Sequence, residues 1–310
     1  MKNNLPIFYD IFIDELIVQN NFWIIKNEKD TYYFVPYLRT DKDINYLNEI
    51  TRELIRMGIP THTFIPNRKK GLISTIDNND YVLLRINCPE EKEFNLSAIN
   101  ALYKNSSLNT RINLRRNNWA KLWSEKIDYF EYQMSELGSD KQIILNSISY
   151  YVGLAENAIS YVNQVEKHHK DDVKITLARK RIYSPNYAIN YLNPLNYIID
   201  LEVRDIAEYI KASIFNDNDI WEEIDNLFKE RTFTSFELHM LYARLLYPSY
   251  YFDIYEQIMN SNVNEEELIP IITKCDMYED FLQEIYYYLN NFVPLISIDW
   301  LIKKNPTTQL

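Results

Sequence analysis

One stretch of the sequence concentrates positive charge. Arg179, Lys180 and Arg181 are consecutive, and they come shortly after three lysines at 167, 170 and 174 and two aspartates at 171 and 172. Guanidinium and ammonium groups gathered in this way could bind an anionic group. The alternative is a solvated face whose cations pair with the surrounding acids, which is the commoner use of a mixed charge run. The three consecutive residues are therefore candidate anion ligands.

A second candidate is the carboxylate of Asp200. It directly follows the apolar run Tyr197-Ile198-Ile199, which predicts a short strand. An aspartate that ends a strand can hold a divalent cation, but it can also be an ordinary turn or capping residue. Both interpretations stay open at this point. Asp205, a little further on, opens a predicted helix and fits a first-turn acid that is favourable with the helix dipole.

The other reactive side chains do not form a recognisable site. His168 and His169 are adjacent, so on a helix they diverge by about 100° and cannot share a metal ion. His62 and His239 have no Cys or His at ligand spacing, and zinc is not expected. Cys88 has no neighbouring partner that would make it a nucleophile, so we interpret it as a core thiol.

Glycine is scarce in this chain. Only four are present, at positions 58, 71, 138 and 153. They never fall at the spacing of a G-x-S-x-G nucleophile elbow, a kinase Gly-rich loop or a Walker loop. The sequence therefore lacks the standard phosphate cradles and the hydrolase elbow.

The elements that would position these residues change character near residue 95. Before it, the predicted order is a short helix at 7–18, a hairpin of strands 22–25 and 31–37, a capping box at 40–43, a helix with apolar residues at 44, 47, 50 and 54, and a hairpin of strands 72–76 and 81–86. One helix can cover only one face of such a sheet, so the other face must meet something else.

After residue 95 the pattern is mainly helical. The predicted elements are long helices at 119–137 and from 140 onward, short strands at 173–177 and 197–199, and helices at 205–210, 220–228, 236–247 and 277–289. Trp119 and Trp123 share one helix face and are expected in the core. We therefore predict an α+β fold, with a small α+β unit at 1–95 and a mainly helical unit at 96–310.

Composition narrows the classes of partner. The 310 residues carry 33 Lys and Arg against 44 Asp and Glu, and the resulting charge of −11 opposes non-specific attraction to nucleic acid or anionic membrane. Two cysteines are too few for a disulfide framework. The first residues resemble no secretory leader, and the apolar runs are too short to span a bilayer. We expect a soluble protein that is cytoplasmic when synthesised.

Two segments resemble a known family. Residues 200–211, DLEVRDIAEYIK, and residues 236–252, FELHMLYARLLYPSYYF, are similar to segments of the CotS/YutH family of spore coat-associated proteins. This resemblance implies a two-lobed, protein-kinase-like fold, as in aminoglycoside and choline kinases. The order of predicted elements fits that fold from about residue 20 to residue 290, although order alone is an analogy.

The resemblance allows a test for phosphoryl transfer, which needs a phosphate cradle, a lysine on the third strand, a catalytic aspartate with an asparagine, and a metal-binding aspartate. The first predicted hairpin turn, residues 26–30, has no glycine, and residues 32–37 have no lysine. Residues 175–183 have neither the His nor the Asp of a catalytic loop. Only Asp200 stands where a required residue, the metal aspartate, would be.

We therefore expect a catalytically degenerate, kinase-like protein that is associated with the bacterial spore coat and acts as a structural or protein-binding module. It is expected to have no catalytic residues and no cofactor, with spore coat or other proteins as partners. The alternative is an active small-molecule phosphotransferase with rearranged residues, and ATP with magnesium is expected only in that case. A third hypothesis is a regulatory adaptor unrelated to sporulation.

Overall fold

The computed structural model describes residues 5–19, 22–39, 41–87, 94–104, 114–137, 140–168, 174–182, 190–260 and 263–302. The chain divides into two compact units. The first comprises Met1–Phe94, Ala101–Arg115 and Arg179–Ile199, and the second comprises Asn95–Asn100, Arg116–Ala178 and Asp200–Leu310. The predicted boundary at residue 95 lies next to the end of Met1–Phe94. The first unit also includes two later segments, Ala101–Arg115 and Arg179–Ile199, which were predicted to belong to the second.

An antiparallel sheet organises the first unit. Its strands are β1 (Glu15–Gln19), β2 (Phe22–Lys26), β3 (Thr31–Pro36), β4 (Thr63–Ile65), β5 (Ser74–Ile76) and β6 (Asn79–Arg85). The order across the sheet is β1-β2-β3-β6-β4, and β5 also pairs with β6. Both predicted hairpins are confirmed, as β2 with β3 and as β5 with β6. The three-residue strand β4 was not predicted.

The turn between β5 and β6 has a backbone conformation that reverses the chain direction. Asp77 and Asn78 have φ angles of 49° and 63°, so both central residues are in the left-handed region. This is the geometry of a type I′ turn, whose twist matches that of the strands. Asp and Asn tolerate it better than most residues because their short polar side chains bond locally.

The helices of the first unit are α1 (Leu5–Phe8) and α2 (Asp41–Arg56). The apolar stripe predicted for α2 is confirmed, since Ile44, Leu47, Ile50 and Leu54 are all buried. The predicted capping box begins at Thr40, which is outside the described residues.

The prediction of one helix from residue 7 to residue 18 was wrong. Only Leu5–Phe8 is helical, and Glu15–Gln19 forms β1, with Leu16 opposite Ile25 of β2. The β-branched residues of this segment favour a strand, and pairing with β2 supplies the backbone hydrogen bonds. Leu5 and Tyr9 pack in one buried cluster with Ile25, Phe34 and Leu83 of the sheet. The N-terminal segment therefore packs against one face of the sheet.

The remainder of the chain is mainly helical, as predicted. Its helices are α3 (Leu96–Lys104), α4 (Trp119–Leu137), α5 (Gln142–His168), α6 (Val203–Phe215), α7 (Trp221–Glu230), α8 (Ser235–Leu246), α9 (Ser249–Asn260), α10 (Ile269–Thr273), α11 (Cys275–Asn290) and α12 (Asp299–Ile302). The two predicted short strands are β7 (Ile175–Arg179) and β8 (Tyr197–Leu201), which form a two-stranded sheet. None of the described helices is both long and apolar enough to cross a bilayer.

Local signals set several helix boundaries. Thr234 is the N-cap of α8, where its Oγ1 accepts a hydrogen bond from the N–H of Glu237 and the Glu237 carboxylate accepts one from the N–H of Thr234. This is the capping box that the sequence predicts. Helix α9 was missed because it follows α8 after only Tyr247 and Pro248, without a loop to separate the two patterns.

Tyrosine fills much of the interior of the second unit. The rings of Tyr151 and Tyr251 stack with centroids 3.8 Å apart, and those of Tyr250 and Tyr278 meet edge to face at 5.1 Å. Burial raises the pKa of the Tyr251 phenol to about 12 and raises the pKa of Tyr250 and Tyr278 well above 10. The abundant tyrosines therefore serve as amphipathic core residues, as expected.

Candidate functional site

Asp200 is completely buried at the end of β8 and is surrounded by donors. Its Oδ1 accepts hydrogen bonds from Trp119 Nε1 and from the backbone N–H of Leu201, both at 2.8 Å. Its Oδ2 accepts one from Arg204 Nη1 at 2.6 Å. We call Asp200, Arg204 and Trp119 the Asp200 cluster. Both carboxylate oxygens in this cluster therefore already have protein partners.

Helix α6 extends the polar network. Arg204, Glu208 and Lys211 are spaced by four and then three residues, so they lie on one face of α6. Each is at least nine-tenths buried. Charged groups are almost never buried to this degree unless they are paired. The face must therefore meet complementary groups on neighbouring elements.

Helices α8 and α9 provide those groups around Glu208. Arg244 Nε donates to Glu208 Oε1 at 2.7 Å, and Lys211 Nζ contacts the same oxygen at 2.7 Å. Ser249 Oγ lies 3.1 Å from Glu208 Oε2 and accepts a 2.6 Å bond from Lys211 Nζ. We call Glu208, Lys211, Arg244 and Ser249 the Glu208 cluster. It holds the start of α9 and the end of α8 against α6.

Two tryptophans cover the guanidinium of Arg244. Its Cζ lies 5.1 Å from the Trp119 ring centroid and 5.5 Å from that of Trp123, within the range of a cation–π contact. Trp119 also donates to Asp200, so this side chain connects the two clusters. The prediction that Trp119 and Trp123 are core residues on one face is confirmed, and their rings stack at 5.3 Å.

Burial and charge act in opposite directions on these groups. Burial alone would raise the pKa of Glu208, but Lys211 and Arg244 hold it well below its usual value. Burial raises the pKa of Asp200 despite the nearby Arg204. It also lowers the pKa of Lys211 to about 8, against the pull of Glu208. The network therefore depends on complete pairing, since each charge here is costly to bury alone.

The Asp200 geometry does not suit a magnesium ion. Magnesium needs open carboxylate oxygens and room for several waters, whereas both Asp200 oxygens are engaged and the residue has no solvent exposure. Among the described residues, no group of three or more His, Cys, Asp or Glu side chains could hold a metal ion. The metal interpretation of Asp200 stays a prediction, while the contacts give it a structural role.

The sheet also locates the positions that a phosphotransferase would use. The turn predicted at residues 26–30 is confirmed by the pairing of β2 with β3, and the sheet contains one further strand, β1, paired with β2 ahead of that hairpin. In the 26–30 turn, Asn27 Oδ1 accepts the N–H groups of Lys29 and Asp30 at 3.0 and 2.7 Å. Strand β3 is the third strand and precedes α2, and it contains no lysine.

The structure separates the three candidate anion ligands. Arg179 is buried, its Nε donates to Tyr191 O at 2.9 Å, and its guanidinium stacks 3.6 Å above the Tyr191 ring. Lys180 is exposed, and Arg181 Nη1 donates to Lys180 O at 2.7 Å. Arg179 is therefore a partner of the tyrosine, and the anion-site hypothesis, which stays a prediction, rests on Lys180 and Arg181.

Other sequence candidates have ordinary surroundings. His239 is buried and shares a 2.9 Å hydrogen bond with the hydroxyl of Tyr161. Asp205 lies in the first turn of α6, as predicted. Cys88 and His169 are outside the described residues.

The Glu208 cluster was not predicted from the sequence. Its signal was present in the sequence, because the basic residues at 204 and 211 and the acidic residue at 208 are spaced to share one face of a helix. All four members of the cluster lie within the two segments that carried the family resemblance, at 200–211 and 236–252. The most recognisable part of the sequence is therefore the part that builds the buried ionic network.

Comparisons with known proteins agree with this fold. A sequence model of the family described as "Spore coat putative kinase YutH" matches residues 2–285. The endospore coat-associated protein YutH of Bacillus subtilis is 30% identical over 213 residues, which are 60% of this chain and 61% of that relative. The match thus spans about three-fifths of the relative's length.

Solved structures of phosphotransferases are also similar. An aminoglycoside phosphotransferase from Alicyclobacillus acidocaldarius superposes with a TM-score of 0.63 at 11% identity, covering 91% of this chain and 94% of that one. The choline kinase LicA from Streptococcus pneumoniae gives a TM-score of 0.52 at 11% identity, covering 90% and 97%. These similarities establish the α+β kinase-like fold.

Proposed function

This chain belongs to the YutH spore coat family, and we propose that it acts there as a catalytically inactive, kinase-like protein that binds other proteins of the coat. The observation that carries the proposal is the pairing of Asp200 with Arg204 and Trp119. In this arrangement the carboxylate anchors a guanidinium inside the second unit. It is not presented to a metal–nucleotide complex.

Two further features support inactivity. Strand β3 offers no lysine to a nucleotide phosphate. Residues 174–182, which include β7 and the start of the following loop, contain no acid that could orient an acceptor hydroxyl. Because phosphoryl transfer depends on positioning and charge neutralisation, losing these groups together would cost orders of magnitude in rate.

The coat assignment comes from the family and its relative. The Bacillus subtilis relative is an endospore coat-associated protein. We propose the same location for this chain. A fluorescent fusion of the full chain, produced in sporulating Bacillus subtilis, should collect at the spore periphery. Fluorescence spread evenly through the mother cell would contradict the location.

Thermal unfolding with nucleotides tests inactivity directly. We expect ATP, ADP and GTP, each with and without magnesium, to leave the melting temperature of the full chain unchanged. A nucleotide-dependent rise that persists in Asp128→Asn, an exposed aspartate of α4, but disappears in Asp200→Asn would overturn the proposal. That pattern would favour an active small-molecule phosphotransferase that uses Asp200.

A further inference from the structure

The first unit contains a polar groove whose lining includes no member of either ionic cluster. It lies between α2, β4 and the loop that follows β4, and it encloses about 530 Å³. Arg52, Asn48, Thr63 and Lys70 line it with hydrogen-bonding groups, while Ile55 and Phe64 provide apolar contacts. No acidic side chain lines the groove among the described residues.

Positive charge is concentrated around this groove. Arg52 and Arg56 on α2, and Lys69 and Lys70 on the loop, are exposed. None of the four forms an ion pair with another described residue. The acids Glu49 and Glu53 also lie on α2, so the patch is not free of negative charge, but they do not line the groove. Four exposed cations without an ion pair to the described part of the chain stand out in a protein with a net charge of −11.

The loop that carries Lys70 is held by its own hydrogen bonds. Asn67 Oδ1 accepts the N–H groups of Lys69 and Gly71 at 3.0 and 2.9 Å, and Asn67 Nδ2 donates to Ile73 O at 2.8 Å. Lys70 has a φ of 64° and donates its N–H to Asn67 O. The loop therefore fixes the backbone of Lys70 beside the groove before any ligand arrives, which reduces the entropy cost of binding.

Strand β4 forms one wall and is the last strand in the sheet order. In the described sheet it pairs only with β6, along Thr63, Phe64 and Ile65. An outer strand offers backbone N–H and C=O groups to an extended segment from another chain. The groove thus combines a strand edge, apolar contacts and cations, and a small anion alone would leave most of its volume unfilled.

We propose that this groove binds an extended, acidic segment of a partner protein. Carboxylates of the segment would pair with Arg52 and Lys70, while alternate side chains contact Ile55 and Phe64. The identity of the partner as a protein rests on the proposed function, whereas the acidic character of the segment rests on the charges lining the groove.

Fluorescence anisotropy with a short, labelled peptide of alternating glutamate and valine tests this inference. We expect the full chain to bind it, with affinity that falls as sodium chloride is added. Arg52→Glu and Lys70→Glu should each weaken binding by about tenfold or more, since each replaces attraction with repulsion of the peptide. Circular dichroism melting curves would confirm that both variants fold, as expected for exposed positions.

The matched control is Lys29→Glu, which makes the same charge change at an exposed lysine in the β2–β3 turn. If Lys29→Glu weakens peptide binding equally, the peptide is attracted by the general charge of the protein and the groove proposal is wrong. Displacement of the peptide by inorganic phosphate at low concentration would indicate a small-anion site instead. If sedimentation shows a dimer that Arg52→Glu dissociates, the groove binds a second copy of this chain and the acidic-partner proposal is wrong.

These outcomes are distinct from those of the nucleotide test. If the peptide fails to bind and nucleotides also have no effect, the groove proposal is wrong and the inactive-kinase proposal stands. If the peptide binds through Arg52 and Lys70 while nucleotides bind through Asp200, the groove proposal stands and inactivity is wrong.

Discussion

Arg204 Nη1 lies 2.6 Å from Asp200 Oδ2, one helical turn further along the chain and fully inside the second unit. An aspartate at the end of a strand can bind a metal ion or pair with a basic side chain. Here the carboxylate pairs with the guanidinium of Arg204. The pair occupies a position where the family resemblance would place a metal aspartate. Its energetic importance can be measured directly.

Arg204→Met should destabilise the chain by about 3–5 kcal/mol, because it leaves the buried Asp200 charge with only neutral donors. Urea unfolding monitored by fluorescence measures this change. Arg56→Met, at an exposed arginine of α2, should cost far less. The double variant Asp200→Asn with Arg204→Met should be more stable than the sum of the two single effects predicts. Strict additivity would show that the pair is not coupled.

Glu208→Gln should also cost about 3–5 kcal/mol near neutral pH, since Lys211 and Arg244 would lose their shared anion. The folded-state pKa of Glu208 is lowered, so its stabilisation is complete above its ordinary pKa of 4.5 and is lost as pH falls further. The difference in unfolding free energy between wild type and Glu208→Gln should therefore narrow below pH 4.5.

The control for Glu208 is Glu131→Gln, which removes an exposed carboxylate of α4. It should have little effect at any pH. A stability difference for Glu208→Gln that stays constant down to acid unfolding would contradict the lowered pKa.

Lys211→Met tests the alkaline side. The folded-state pKa of Lys211 is lowered to about 8 from 10.5, so between these values the unfolded chain holds the proton more tightly. Stability from this group therefore rises with pH across that window. We expect the free-energy advantage of wild type over Lys211→Met to increase from pH 8 to pH 10, and the exposed Lys229→Met to show no such trend. A decreasing advantage would indicate that the pKa is raised.

Thr234→Ala should cost about 1 kcal/mol, because it removes the side-chain acceptor of the capping box at α8. The exposed Thr232→Ala, two residues earlier, is the matched control. Differential scanning calorimetry would show a lower melting temperature for the first variant only. Equal melting temperatures would mean that the Glu237 carboxylate alone caps the helix.

Most of the fold could be predicted because periodicity and turn residues act locally. The stripe on α2 and the Asp77-Asn78 turn each specify their own element. Strands β1 and β4 were not predicted, because their conformation depends on non-local contacts. Each is short, and its conformation is fixed by pairing with β2 or β6, which no local pattern reveals.

The site was harder to predict than the fold. Asp200 was identified as a candidate, but its partners Trp119 and Arg244 are far from it in sequence, and only tertiary structure brings them together. Arg179 was also hard to predict, because a position in a charge run indicates an exposed side chain. Its guanidinium is instead buried and stacks on the ring of Tyr191. Charge runs do not reveal which members are buried.

The tyrosine-filled interior gives the protein a built-in optical reporter. Phenolate absorbs at longer wavelength than phenol. The buried ring of Tyr278 and the half-buried ring of Tyr250 resist ionisation while the fold keeps water away from their hydroxyls. In an alkaline titration, the late rise in phenolate absorbance should therefore coincide with loss of the fold. Unfolding of the second unit could be followed in the native chain without any dye or engineered probe.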